Sequence, residues 1–286
     1  MGAAEYASSS IALQVWGRFV KHKLAVAGLA GIVLLVLTAV FAPLFAPNDP
    51  KQVTGAFSAA PSAAHWLGTD QVGRDVWSRL IYASRVSLIV GFSTVALYVT
   101  AGTLIGILSA YLGGWFDMLT MRITDMFMAF PFLMVTLVIV SVIGSSMSTI
   151  VFVLALFSWP AVARLVRSTV LAIRQSDYVK AGIALGFSTP RILFQHILPN
   201  AVGPIIVNAT FGIASAILSE AGLSFLGMGV QPPAASWGNM LSDAQSLTVL
   251  TDQPWLWLPP GLMILLTVLS INFVGDGLRD ALDSRQ

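Results

Sequence analysis

Residues 126–163 read MFMAFPFLMVTLVIVSVIGSSMSTIVFVLALFSWPAVA and contain no charged side chain. A helix crosses the hydrocarbon core of a bilayer with about 20 mostly apolar residues, so this run is too long for one crossing. A polar break over residues 144–148 divides it. The run therefore predicts two spanning helices, the second of which ends near Arg164 and Arg167, whose long side chains can reach the lipid headgroups.

Four further apolar runs are long enough to cross a bilayer. They are residues 24–46, a run from Val86 that Gly113 and Gly114 end, residues 197–219 and residues 255–274. Together with the two crossings of 126–163, they predict an all-α polytopic membrane protein with six transmembrane helices. Trp255 and Trp257 stand at the start of the sixth helix, where tryptophan side chains anchor a span at the interface.

The composition agrees with a membrane protein. Hydrophobic residues make up 56% of the 286 residues and charged residues only 10%, whereas a soluble domain carries about 25% charged residues. The net charge of +2 predicts no nucleic-acid partner. The chain has no cysteine, which excludes disulfides and thiol catalysis. The first apolar run is too long for the core of a cleavable signal sequence.

The basic residues predict the orientation of the six spans. Eleven Lys and Arg residues fall on the side of the termini and four on the other side. Because positive charge concentrates in cytoplasmic segments, both termini should be cytoplasmic. The predicted divisions are a cytoplasmic segment 1–23, a transmembrane domain 24–276 with external loops 47–85 and 221–254 and a cytoplasmic loop 168–199, and a cytoplasmic tail 277–286.

Within the cytoplasmic loop, residues 177–200 read DYVKAGIALGFSTPRILFQHILPN, a polar helix–turn–helix in a mostly apolar chain. A short helix over 177–185 is predicted to end at Gly186, because glycine tolerates the left-handed conformation. Four residues of this helix share one face through their helical spacing: Tyr178, Ala181, Gly182 and Leu185. Small residues on that face would let another backbone come close, so the loop is suited to receive force from a soluble partner.

A second helix is predicted after the glycine. Ser188 or Thr189 can cap it, and Pro190 suits its first position, where no backbone N–H is needed. The helix is predicted to continue from Arg191 until Pro199, which is expected to start the fifth span.

This loop resembles the cytoplasmic coupling loop of ATP-binding-cassette importer permeases. That pattern runs Glu-Ala-Ala, three residues, Gly, nine residues, Ile, any residue, Leu-Pro. Four positions match it: Ala181, Gly186, Leu198 and Pro199. Three depart from it: Lys180 for Glu, Gly182 for Ala and His196 for Ile. The departures are usual in the branch that imports di- and oligopeptides and nickel. The ATPase-coupling residues that the resemblance implies are Tyr178, Ala181, Gly182, Leu185, Gly186, Pro190, Leu198 and Pro199.

Three other segments resemble the same branch: Leu67 to Arg79, parts of Gly222 to Asp243, and Gly275 to Asp283. The resemblance covers nearly the whole chain and is closest to the second, C-type membrane subunit. It implies the type I importer architecture, a homologous second permease, two cytoplasmic ATPases that hold ATP and Mg, and an external substrate-binding protein. It implies no catalytic residue or cofactor in this chain, and a bacterial inner membrane location.

The cargo stays open at this stage. Di- or oligopeptides are the expected substrates because they are the commonest cargo of the branch, and glutathione-like peptides and nickel are alternatives. An ion-coupled secondary transporter is an alternative of another class. Such proteins usually carry ionisable groups at mid-membrane, which these spans lack, although the glycine- and proline-broken segment 221–254 keeps it open. That segment could dip into protein-lined space.

Several polar residues have two possible roles. Glu220, at the outer end of the fifth span, is expected to cap or pair locally, or else to line a substrate path; Asn208 can bond a neighbouring helix or line the pathway. Asp125 is expected to pair with Arg122 on its own helix. Four charged residues in the first external loop favour ion pairs that hold a folded loop touching a binding protein, rather than catalysis: Asp70, Arg74, Asp75 and Arg79.

Recognisable metal and nucleotide motifs are missing from the sequence. The three histidines, His22, His65 and His196, are too scattered for a metal motif, and no phosphate-binding GxxxxGK[ST] loop occurs. We therefore assign no metal, catalytic or substrate-binding residue from the sequence.

Overall fold

The computed structural model describes residues 13–283, and this part of the chain is helical with loops between the helices. Extended backbone in this part forms only two isolated bridges, Val53 to Arg74 and Thr69 to Asp75. The predicted cytoplasmic ends 1–23 and 277–286 lie partly outside the described residues. The first half of the chain forms α1 (13–21), α2 (Lys23–Val40), α3 (Ala42–Phe45), α4 (Val76–Leu112), α5 (Gly114–Ala129) and α6 (Phe132–Ile143).

The second half begins with α7, which leads into the loop helices and the last two spans. Its elements are α7 (Met147–Arg174), α8 (Asp177–Ala184), α9 (Thr189–Ile192), a π-helical turn (Leu193–Ile197), α10 (Leu198–Phe225), α11 (Trp237–Leu241), a 3₁₀ turn (Ser242–Gln245), α12 (Leu247–Asp252) and α13 (Pro254–Leu282). The all-α polytopic fold is confirmed.

Five helices in the described range are long and apolar enough to cross a membrane: α2, α4, α7, the helix that leads into α10, and α13. The helices α5 and α6 make a sixth crossing when they are counted together as one span, and they are bent by 85°. The third span predicted from Met126 therefore does not start there as one helix: residues 126–129 end α5, and α6 begins at Phe132. Pro131 explains the break, because a proline disfavours helical backbone at the residue before it, and Phe130 is extended with ψ of 139°.

α4 lies at the centre of the bundle and packs against α2, α7 and α10. Gly102 and Gly106, one turn apart, allow α7 to approach closely. A Cβ atom at Gly102 would stand 2.7 Å from the carbonyl oxygen of Trp159, and one at Gly106 2.5 Å from that of Ala163. Small residues at this spacing let helices pack backbone against backbone, which stabilises association where lipid supplies little hydrophobic driving force.

Several helices continue past the predicted spans. α4 begins at Val76 rather than Val86, with the Asp75 carboxylate accepting a hydrogen bond from the Ser78 N–H at 2.8 Å. α7 continues to Arg174, so the loop predicted from residue 168 begins inside it. The length of an apolar run predicts only the part of a helix that lies in the bilayer. The ends of the helix are decided by capping and packing, so a helix can continue beyond the bilayer.

Pro199 stands at the start of the fifth span as predicted, but the preceding helix continues into that span without the predicted end. α9 passes through the π turn into α10, in which Pro199 takes the second position. In the π turn the Leu198 N–H donates to the carbonyl of Leu193, five residues back. The first turn of a helix needs no N–H from proline, and the wide turn precedes Pro199, so the helix passes this proline without ending.

The segment between α10 and α13 is folded into the protein. This agrees with the prediction that segment 221–254 could dip into protein-lined space. Trp237 is fully buried, its backbone N–H donates to Ser87 Oγ at 3.1 Å, and its ring nitrogen donates to the Leu80 carbonyl at 3.3 Å. Gly238 lies against the backbone of Ala221. This segment is thus packed against α4, α10 and α13, as irregular backbone inside a membrane protein requires.

The start of the first span lies beside the end of the last. Phe19, Ala25, Val274 and Ala281 form one buried cluster. His22 Nε2 lies 3.7 Å from Asp280 Oδ2. The two ends of the described chain therefore meet at one end of the bundle.

Candidate coupling loop and membrane cavity

The turn of the helix–turn–helix is a Schellman motif. Gly186 has φ of +77°, its N–H donates to the Ile183 carbonyl at 3.0 Å, and the Phe187 N–H donates to the Gly182 carbonyl at 3.0 Å. These two bonds give hydrogen-bond donors to two carbonyls in the last turn of α8. The left-handed backbone at position 186 favours glycine. The predicted turn at Gly186 is confirmed, although nothing lies within 4 Å of a Cβ atom built there, so the requirement is conformational.

Phe187 is the packing centre of the loop, and the sequence predictions missed it. Its ring stacks on His196 with centroids 6.0 Å apart and planes 10° apart. The Arg191 guanidinium carbon lies 4.3 Å from the ring centroid, and a Cβ atom at Gly182 would lie 3.1 Å from the ring. A hydrophobic residue directly after the Schellman glycine commonly contacts the preceding helix, and this was the available signal.

The face predicted for α8 divides in two. Tyr178, Ala181 and Leu185 are exposed, with 49% of Tyr178 and 74% of Leu185 accessible. Gly182, by contrast, is buried against Phe187. Gly182 therefore shapes the inside of the loop, and the other three residues form its outward stripe.

The remaining predicted coupling residues lie on the second helix. Leu198 is half-buried and Pro199 is exposed at the start of α10. Pro190 falls in the first turn of α9, and its side chain lies outside the described part of the structure. His196 stands where the family pattern has isoleucine, and its ring stacks on Phe187. Its Nε2 atom is buried without a hydrogen-bond partner among the described residues.

We expect Phe187→Ala to impair transport without preventing membrane insertion. The change removes the ring on which Gly182, Arg191 and His196 rest. The ring is partly exposed, so the loop should lose about 1–2 kcal/mol, less than the 3–5 kcal/mol of a fully buried phenylalanine. Uptake by the assembled transporter, normalised to its amount in the membrane, measures the effect. Phe187→Tyr keeps the ring and should retain most uptake, and equal activity of both variants would contradict this role.

Ion pairs fasten the C-terminal half of α7 to α5. Arg167 donates to both carboxylate oxygens of Asp117 at 2.5 Å, and Arg164 Nη2 lies 2.5 Å from Asp125 Oδ1. The predicted pair of Asp125 with Arg122 was therefore wrong. Because α5 runs along α7, its carboxylate reaches a cation on the neighbouring helix. These pairs anchor the helix that leads into the loop.

A cavity of about 500 Å³ lies between α4, α6, α7 and α10. Its polar lining residues carry hydroxyls and one amide: Thr94, Tyr98, Ser158, Asn208, Ser215 and Ser219. No charged side chain is among its lining residues in the described part of the chain. Asn208 therefore faces a cavity rather than only a neighbouring helix. The wall formed by α10 belongs to the same continuous helix that leaves the loop through the π turn.

Glu220 has a local role. It is fully buried in α10, and its Oε1 atom accepts hydrogen bonds from Ser224 Oγ at 2.6 Å and from Ser236 Oγ at 2.7 Å. Ser236 also caps α11. Glu220 thus joins the C-terminal end of α10 to the buried segment between α10 and α13, and it does not line the cavity.

Buried ion pairs hold the loop between α3 and α4, which is the predicted first external loop. Asp70 accepts from Arg74 Nε at 2.8 Å and from Arg79 Nη1, and its Oδ1 atom accepts from the Arg74 backbone N–H at 2.8 Å. Asp75 pairs with His65 Nδ1 at 2.9 Å while it caps α4. Both carboxylates are bonded to residues of the loop itself or of the start of α4. This agrees with the prediction that these charged residues form ion pairs that hold the loop.

Comparison with known proteins decides the family. The family of binding-protein-dependent transport system inner membrane components matches residues 102–286. This chain belongs to that family. The N-terminal transmembrane domain of oligopeptide transport permease C matches residues 10–61 of this permease. The predicted recognition as a C-type permease of the peptide branch is confirmed, as is the prediction of a transport subunit rather than an enzyme.

Relatives of this permease match it over nearly their whole length. A protein of Brucella suis biovar 1, provisionally named a peptide permease, is 45% identical over 100% of this chain and 95% of its own. A dipeptide transport system permease of Alkalihalophilus pseudofirmus is 42% identical over 98% and 92%. A glutathione transport system permease of Pectobacterium atrosepticum is 40% identical over 95% and 90%.

A solved structure supports the fold of the permease. A chain of the methionine ABC transporter MetNI, in inward-facing conformations, superposes with a TM-score of 0.59 at 18% identity. The match covers 71% of this chain and 96% of that one. At this identity the likeness concerns the fold alone.

Proposed function

We propose that this permease is one of two membrane subunits of an ATP-driven importer for di- or oligopeptides. The observation that carries the proposal is the full-length similarity, at 40–45% identity, to permeases named for peptides, a dipeptide and glutathione. The uncharged, hydroxyl-lined cavity of about 500 Å³ supports it, because that volume lies within the range of small-molecule sites. Backbone amides of a peptide can exchange hydrogen bonds with such a lining without a fixed charge.

The proposed assembly pairs this chain with a homologous permease across the pathway. Two cytoplasmic ATPases, which hold ATP and Mg, bind the coupling loops, and an external binding protein delivers the peptide. The chain is proposed to lie in a bacterial inner membrane with both termini cytoplasmic, as its eleven-to-four distribution of Lys and Arg supports.

The coupling mechanism follows from the connection between loop and cavity. An ATPase that binds the outward stripe of Tyr178, Ala181 and Leu185 moves α8. The Schellman turn and the Phe187 ring hold α8 to the second helix, which continues through the π turn into α10. Since α10 forms one wall of the cavity, displacement of the loop changes the cavity directly. Transport requires that the ATPases bind the loop differently in their open and closed states.

Uptake of a labelled dipeptide tests the cargo. We expect cells that lack this chain to lose uptake and to regain it on complementation, with competition from unlabelled tripeptides and longer peptides. Unchanged uptake in a strain without a redundant system would contradict the peptide assignment. Competition by Ni²⁺ or glutathione alone would assign the transporter to the corresponding alternative cargo.

We expect Asn208→Leu to reduce peptide uptake by about two- to tenfold, since one hydrogen bond contributes about 0.5–1.5 kcal/mol. The loss should appear as a raised KM for uptake, with the amount of transporter in the membrane unchanged. Thr210→Val is the matched control, because the Thr210 hydroxyl bonds the Ile206 carbonyl at 2.9 Å on its own helix and does not line the cavity. Equal uptake by the Asn208→Leu and control variants would contradict a pathway role for the amide.

A further inference from the structure

The short helix α1 has three faces of different chemistry. Val15 and Phe19 face the protein, and only 3% of Phe19 is exposed. Gln14, Arg18 and Lys21 form an exposed polar face. The third face is an exposed apolar stripe whose residues are three and four positions apart and so share one side of the helix. They are Leu13, Trp16 and Val20, which are 70%, 56% and 48% exposed.

We propose that α1 lies in the headgroup layer of the bilayer, with this apolar stripe inserted among the lipids and its basic residues at the lipid phosphates. A stripe of leucine, tryptophan and valine with flanking lysine and arginine is the composition of interfacial helices. Tryptophan is favoured at that depth, because it has an apolar ring and one polar N–H. This inference goes beyond the proposed function and does not depend on the cargo.

The packing of α1 places it at the right depth. His22 has extended backbone, with φ of −84° and ψ of 94°, so the chain turns between α1 and α2. As a result Phe19 of α1 and Ala25 of α2 both contact Gly277 of α13, where a Cβ atom would lie 3.2 Å from the Phe19 ring. Gly277 lies about 33 Å along α13 from Trp255, close to the thickness of the hydrocarbon core, about 30 Å. Phe19 therefore lies at the membrane surface rather than out in the cytoplasm.

The charges of this corner suit an anionic lipid surface. Arg18, Lys21 and Lys23 fall within six residues, and residues 13–23 contain no acidic side chain. His22, which lies between them, is near Asp280 of α13, and the Arg18 guanidinium donates to the Asp283 carbonyl at 3.4 Å, which leaves Lys21 and Lys23 as the exposed cations nearest the stripe. Basic residues close to a leaflet with anionic phospholipid are attracted to it, and the attraction adds to burial of the apolar stripe.

Spin labels on the assembled transporter test the proposal. The chain has no cysteine, so a single cysteine carries a single label when the partner subunits are also cysteine-free. The transporter is reconstituted in vesicles of phosphatidylcholine and phosphatidylglycerol, with labels at Val20→Cys and Leu13→Cys on the stripe. Gln14→Cys, exposed on the polar face of the same helix, is the matched control.

We expect the stripe labels to be reached by oxygen rather than by a water-soluble nickel chelate, at a depth of about 5–10 Å. The Gln14 label should show the reverse. Chelate access at all three positions would overturn the proposal, because α1 would stand in water. Stripe labels that neither reagent reaches would overturn it too, because another protein would cover them. Arg18→Gln combined with Lys21→Gln should make the Val20 label shallower, and an unchanged depth would contradict the role of the charges.

Discussion

Replacing Gly186 with valine will reduce both peptide uptake and substrate-stimulated ATP hydrolysis about tenfold, while the protein still inserts in the membrane. Gly186 has φ of +77°, and left-handed backbone costs an ordinary residue roughly 1–2 kcal/mol, with β-branched side chains the least tolerant. Valine therefore favours a different turn, which breaks the bonds to the Ile183 and Gly182 carbonyls. Uptake and ATPase rates of the reconstituted transporter measure the loss.

The control variant occupies the same position. Asparagine tolerates left-handed backbone better than other non-glycine residues, so Gly186→Asn should retain most activity. Since a Cβ atom at this position meets no neighbour within 4 Å, the two variants differ in backbone preference and not in crowding. Normal uptake by Gly186→Val at normal abundance would refute this account of the turn. Equal loss in both variants would show that glycine is needed there for another reason.

The second large effect is expected outside the membrane-spanning bundle. Asp70→Asn should destabilise the protein by about 3–5 kcal/mol, because it leaves a buried guanidinium without its carboxylate. Arg79 is 5% exposed and Asp70 4%, so water cannot replace the lost partner. Thermal unfolding in detergent and protease resistance of the external loop measure the change. The buried pair need not add net stability, but removal of one member is costly.

An exposed ion pair of the same chemical type is the matched control. Lys180 Nζ lies 3.9 Å from Asp177 Oδ1 on α8, with both side chains largely in solvent. Asp177→Asn should therefore leave thermal unfolding unchanged, because exposed pairs contribute little. If Asp70→Asn unfolds at the same temperature as this control, the first external loop does not depend on its ion network.

The ion network also reaches the second external segment. Burial raises the pKa of Asp243, and the positive charge of Arg79 opposes that shift. Asp243 belongs to the 3₁₀ turn that follows α11. Trp237, the first residue of α11, is buried against α4. The two external segments thus share one electrostatic neighbourhood, and loss of Asp70 should loosen both.

Much of the structure of the candidate coupling loop could be predicted from local chemistry. The turn at Gly186 follows from the conformations open to glycine, and the helix of 177–184 follows from its composition. The role of Phe187 could not be predicted with the same certainty, because its contacts with His196 and Arg191 come from the second helix. Gly182 was assigned to the outward face for the same reason, since helical spacing alone does not say which side a later ring will cover.

The sequence by itself determined five of the membrane-spanning helices, the side bias of the basic residues and the turn at Gly186, because these depend on apolar length, charge and single-residue backbone preference. Only the tertiary structure decided the partner of Asp125, the passage of the helix through Pro199 and the 85° bend before α6. These depend on which helix lies alongside: a carboxylate pairs with the nearest cation in space, and a proline ends, bends or continues a helix according to the packing around it.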